Sequence, residues 1–171
     1  MTLDLETIAS TVLGSSSLNG IAKSTGASKQ DVSNVISQAL PLLLQGATKQ
    51  SKSKSTAESF AQALEQHASN STSSLSSFFK NVDLDDGAKI VSHLLGTSTN
   101  TSAKKISKSS GLDVETVTKI LAAAAPLVMS LLGKTTAKAK KADKSSTTQD
   151  LAKTLLGSVD VGGIINSLLK K

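Results

Sequence analysis

The chain has 171 residues, a net charge of +6, thirteen acidic residues and nineteen basic ones, every one of them lysine. Without cysteine there are no disulfides or thiolate metal sites, and without arginine there is no standard reader of guanine edges. Three phenylalanines are the only aromatics, too few to build a stacking platform for unpaired bases. The length suffices for one domain that buries roughly 70% of its unfolded surface.

The start, "MTLDLETIASTVLG", carries acids where a secretory signal carries lysine. The longest apolar run, "ILAAAAPLVMSLLG", falls short of the roughly 20 residues a bilayer span needs. Together these lead us to expect a soluble, cytoplasmic protein. Apolar residues recur at three- and four-residue spacing and glycines punctuate the segments, which predicts an all-α, multihelical fold.

The first unit covers about residues 1–47. "ASTVLG" reads as a helix closed by Gly14 at C′. A second helix ends near Thr25, Gly26 supplies a left-handed turn, and Ser28 caps a long helix with Asp31 in its first turn. That helix presents Val32, Val35, Ile36, Ala39 and Leu43 to a core, and Gln30, Asn34, Ser37 and Pro41 to the opposite face. Pro41 has no N–H for the Ser37 carbonyl, so the helix is expected to bend there with the free carbonyl in water. The alternative is a break at Leu40 with Pro41 opening a new helix.

Residues 48–55 read as a lysine-serine linker, and connecting helices follow over 55–80. The first is "TAESFAQALEQH", with a Ser55–Glu58 capping box and an apolar face of Phe60, Ala61 and Leu64. Residues 68–74 form a second polar linker. The second unit covers about 84–133. "DLDDG" resembles a calcium loop, but its glycine comes one place early and Leu94 stands where the closing glutamate belongs. Asp85 or Asp86 as a helix cap is the simpler expectation. A helix then closes at Gly96, another at Gly111, and Asp113 caps a long helix carrying Val117, Ile120, Leu121, Ala124 and Val128, with Glu115, Lys119, Ala122 and Pro126 opposite. A lysine-rich linker at 134–147 and a helical tail at 148–171, with Gly157 closing "AKTLLG", complete the chain.

"IAKSTGASKQDVSNVISQALPLLLQ" from Ile21 aligns without a gap on "ISKSSGLDVETVTKILAAAAPLVMS" from Ile106. Gly26 falls on Gly111 and Pro41 on Pro126, which predicts two duplicated helix-turn-helix-like units with proline-kinked long helices, packed into one bundle.

"IAKSTGASKQDVSNVI" resembles the helix-turn-helix of lactose-repressor-type regulators, with Ile21, Val32 and Val35 at the packing positions. On that reading Lys29, Gln30, Ser33 and Asn34 meet bases or phosphates. The second unit offers Val114, Glu115 and Thr118 there instead, and glutamate repels phosphate. His67 and His93 are the only histidines: the first favours a helix C-terminal dipole and the second a helix interface. No phosphate loop, nucleophile elbow or dinucleotide fingerprint is present, so the reading is a non-enzyme without metal or cofactor.

"GIAKSTGASKQDVSNVISQALPLLLQG", "AAAAPLVMSLLG" and "DDGAKIVSHLLG" together resemble the bacterial YidB-like family, a domain of unknown function. The resemblance covers roughly residues 10–133 and implies a multihelical bacterial protein with no catalytic residues to assign. The chain is richer than that pattern in serine, threonine and lysine. The function expected is non-enzymatic binding or scaffolding, with self-association or another protein held through Leu42, Leu43 and Leu44. DNA binding is the alternative, and weak membrane-surface contact by "GGIINSLLKK" a third option.

Overall fold

The computed structural model describes residues 5–142 and, beyond them, 144, 145, 147, 149, 150 and 152. Within 5–142 eight α-helices follow in order: α1 (Leu5–Val12), α2 (Ser15–Thr25), α3 (Lys29–Lys52), α4 (Ala57–Ala68), α5 (Leu75–Lys80), α6 (Leu84–Leu95), α7 (Thr99–Ser110) and α8 (Val114–Ala142). A short 3₁₀ turn at Gly96–Ser98 joins α6 to α7. Among the described residues there is no strand. The remainder of the tail expected at 148–171, Gly157 included, lies outside them.

α8 is the axis of the bundle. It packs most extensively against α4 and α6 and also touches α1, α2, α3 and α7. α3 lies beside it and bridges α4, α6 and α7, while α5 docks on α2. Val32, Val35, Ile36, Ala39 and Leu43 of α3, and Val117, Ile120, Leu121, Ala124 and Val128 of α8, are all buried as their spacing requires. Burying each large side chain contributes about 1.5–3 kcal/mol, so these two helices carry much of the stability.

The turns agree with the chemistry of their residues. Gly26 and Gly111 both sit at φ 78°, a left-handed conformation that a Cβ resists. Ser28 Oγ accepts from the Asp31 N–H at 3.0 Å, and Asp113 Oδ1 accepts from the Thr116 N–H at 2.7 Å. Gly14 differs from expectation: at φ −69° it is the extended N-cap of α2, its N–H donating to the Thr11 carbonyl. The cap of α6 is Asp83, whose Oδ1 accepts from the Asp85 and Asp86 N–H groups; those two occupy the first turn. The capping box expected from Ser55 to Glu58 is replaced by Thr56 at the N-cap, its hydroxyl donating to the Gln50 carbonyl at 2.9 Å.

Parts of two expected linkers are helical. α3 continues to Lys52 and α8 to Ala142. Lysine, alanine and glutamine are good helix formers, and the hydroxyls that make these stretches look polar satisfy themselves within the helix. Ser51 Oγ donates to the Thr48 carbonyl and Thr136 Oγ1 to that of Leu132, so both residues are buried. Lys134 Nζ reaches the Ala68 carbonyl at 3.0 Å, and Lys140 pairs with Glu65 at 3.5 Å, fastening α8 to α4. The loop at 69–74 is non-helical, as expected.

Both prolines lie inside continuous helices, so no new helix begins at Pro41. Pro41 is half-buried and Pro126 buried, not on a watered outer face. In α8 the face opposite the core positions is Ala122, Pro126, Ser130 and Gly133, small or compact enough for neighbours to come close. α6 approaches through Gly87, where an added Cβ would collide with the Ala122 carbonyl, the very group that Pro126 leaves without a helical donor. α4 approaches at Gly133, where an added Cβ would meet the Leu64 carbonyl. α8 is, by length and composition, apolar enough to cross a membrane once its full extent is counted, but 78% of its most apolar window is buried against the other helices.

Candidate functional site

The residues expected to touch DNA gather at the start of α3. Lys29, Gln30 and Asn34 are exposed and Ser33 is half-buried. Lys29 Nζ lies 3.4 Å from Ser15 Oγ, so this lysine leans back along α2. The corresponding end of α8 carries Val114, Glu115 and Thr118, all exposed. Glu115 pairs with Lys119 at 2.9 Å and holds that ammonium above its ordinary pKa through the hydrogen bond and its charge. Asp113 is held below the usual carboxylate value by the Thr116 N–H and hydroxyl. This second end therefore presents two carboxylates, Asp113 and Glu115, where the first unit has Ser28 and Gln30.

The leucine cluster is placed differently from expectation. Leu43 and Leu44 are each 1% exposed and belong to the core; only Leu42 is partly accessible. The reason is that α3 is covered on several sides, by α4 and α6 as well as α8. Among the described residues the one large apolar side chain classed as exposed is Val114.

A broad groove of about 820 Å³ lies between α2 and the segment 72–80. Its construction follows from small residues. Gly20 lets the Phe79 ring lie on α2; a Cβ there would come within 2.7 Å of the ring's Cγ. Ser24 Oγ donates to the Phe79 carbonyl at 3.0 Å and ties α5 to α2. Phe78 meets Phe79 edge to face at 5.3 Å. The loop forming the other wall is pinned at both ends. Asn70 Nδ2 donates to Ser130 Oγ of α8 at 3.1 Å, and Ser74 Oγ accepts from the Ser77 N–H at 3.3 Å. The rim carries Lys23 and Lys80, and among the described residues no carboxylate lines the groove. Sequence reasoning passed over it because 68–74 looked like a linker; the signal was the density of hydroxyls in "SNSTSS" between two helix ends.

The two histidines share a smaller cleft of about 170 Å³ between α4 and α6, over Phe60, Leu94 and Met129. His67 is half-buried, with Nδ1 3.2 Å from the Asn70 amide nitrogen. That amide also donates to Ser130 Oγ, whose own proton goes to the Pro126 carbonyl, so the chain of donors gives His67 Nδ1 the acceptor role. His93 is exposed on α6, away from the tightly packed interface expected for it, and its backbone carbonyl accepts from Gln50 Nε2 at 2.8 Å. Among the described residues no three metal-ligating side chains of the histidine, cysteine or carboxylate type come together.

These features define a class: an all-helical bundle with its apolar residues in one core and a polar, lysine-bearing surface. The chain belongs to a family of bacterial proteins of unknown function, DUF937, whose model matches residues 8–135. The YidB-like resemblance is consistent with that family. No curated protein and no solved structure matches the chain.

Proposed function

We propose that the protein is a non-enzymatic binding or scaffolding module that works through polar contacts. One observation carries this reading: a broad groove presents hydroxyls, an amide and two lysines beside Leu75, while most large apolar side chains among the described residues lie in the core. Native mass spectrometry of the full chain, incubated with a bacterial metabolite extract, tests the reading. The expected result is a non-covalent adduct of unchanging mass. An adduct whose mass changes with incubation would make the protein an enzyme, and no adduct at all would remove small-molecule binding.

The second reading is DNA binding through α2 and α3, favoured by the joint exposure of Lys29, Gln30 and Asn34 at one helix start. It is weakened by Glu115 at the matching end of α8 and by the burial of the second half of α3. Selection from random duplexes would enrich one site if this reading holds.

We also infer that α2–α3 and α7–α8 descend from one duplicated hairpin whose long helices bend at Pro41 and Pro126. The matching turn glycines support the duplication: φ 78° with ψ 4° at Gly26, and φ 78° with ψ 6° at Gly111. The contact of Gly87 with the Ala122 carbonyl supports the bend, because a carbonyl left free by proline must be met by another surface.

A further inference from the structure

The groove between α2 and α5 presents polar side chains that are not used in holding its walls together. Ser16, Asn19, Thr72 and Ser76 line it, and none of these four side chains has a hydrogen bond to the described residues. Lys23 and Lys80 are exposed and make no ion pair with a described carboxylate. By contrast Ser24 and Ser74 are committed to holding the walls. The site therefore separates residues that build it from residues that remain available.

The available set describes a ligand. Two ammonium groups with no opposing carboxylate favour an anion, and charge-assisted bonds to an oxyanion are the stronger kind. The hydroxyls and the amide both donate and accept, which suits ligand hydroxyls that do the same. Phe79 is 3% exposed and shows no free ring face, so the floor does not stack a nucleobase. The volume of about 820 Å³ lies in the range of small-molecule sites and can hold a compound of several rings or fewer.

We propose that this groove binds a small polyhydroxyl compound bearing an oxyanion, of the sugar-phosphate class. Lys23 and Lys80 take the anion, while Asn19, Thr72 and Ser76 take the hydroxyls. The inference deepens the binding reading above and rests on it.

Glucose 6-phosphate is the probe, with glucose and inorganic phosphate as its two halves, followed by backbone amide NMR on the full chain. The expected result is saturable shifts at Asn19, Gly20, Lys23 and Phe79, with the whole probe bound tighter than either half. Lys23→Gln with Lys80→Gln should weaken it about tenfold or more, since both lysines are exposed and the fold does not depend on them. No saturable shift up to about 20 mM probe would overturn the proposal. Equal affinity in the double variant, or shifts confined to Lys29–Asn34, would overturn it too. A mass-spectrometric adduct of other composition, surviving such a failure, would leave the broader binding reading standing.

Discussion

Replacing Gly87 by alanine puts a methyl group between α6 and α8. Placed on the present backbone, its carbon falls 2.6 Å from the Ala122 carbonyl carbon and closer still to the oxygen. Ordinary van der Waals contact begins near 3.4 Å, so the carbon alone asks for a parting of about 0.8 Å, and the nearer oxygen asks for about twice that. Both sides of the contact are backbone, and neither can rotate away. Overpacking of this sort costs about 1–3 kcal/mol, and the separation also loosens Ile90, Val91 and Leu94, which pack in the core from the same helix. Against this, alanine gains about 1 kcal/mol over glycine in a helix interior. The net expectation is destabilisation of about 1 kcal/mol, or about 2–4 °C in Tm for a chain of this size. Urea unfolding followed by circular dichroism measures it, with exposed Ser92→Ala as a control expected within about 0.5 kcal/mol of the parent. A Gly87→Ala protein as stable as the parent, or more so, would show that α6 does not lie on the Ala122 carbonyl.

Leu43→Asp should unfold the chain, because an unpaired charge at a position 1% exposed costs several kcal/mol of a total near 5–15; loss of the far-UV helical signal checks it. A folded Leu43→Asp protein would return Leu43 to a surface role. Ser130→Ala removes the acceptor for Asn70 and should cost about 1–3 kcal/mol in urea unfolding, together with faster amide exchange in the loop at 69–74. Asp113 has a folded pKa below 3.8, so its contribution is complete above that value and fades as pH falls through the folded pKa. Asp113→Asn should therefore flatten the acid side of the stability profile, measured by urea midpoints from neutral pH downward, and an unchanged slope would contradict the cap.

How far residues reveal structure depended on what decided each feature. Val32, Val35 and Ile36, with their partners Val117, Ile120 and Leu121, announced the core because apolar spacing fixes which helix face is buried. Gly26, Ser28 and Asp113 announced the turns because backbone sterics and capping are local matters. The helical course of 48–52 and 134–142 was hidden, since hydroxyls and lysines look like solvated linker until a neighbour such as α4 covers them. The burial of Pro126 and Leu44 was hidden for a related reason. Periodicity places one face inward, but it does not say how many neighbours a helix will have, and α3 and α8 each have several. Of the groove only the hydroxyl-rich segment was legible: the site joins Asn19 and Lys23 to Thr72 and Lys80 across about fifty residues of intervening chain, and the docking of Phe79 on Gly20 brings them together.

Helix pairs turned by glycine serve two ends in proteins, packing and duplex recognition, and here Ile21, Val35, Ile106 and Ile120 are wholly committed to packing. Fluorescence anisotropy of the full chain with labelled duplexes, across a range of salt, decides between those ends. Packing predicts weak association indifferent to sequence, lost by about 0.2 M salt and unaltered by Gln30→Ala or Asn34→Ala. Tight binding of one selected duplex at physiological salt, abolished by Asn34→Ala, would contradict it.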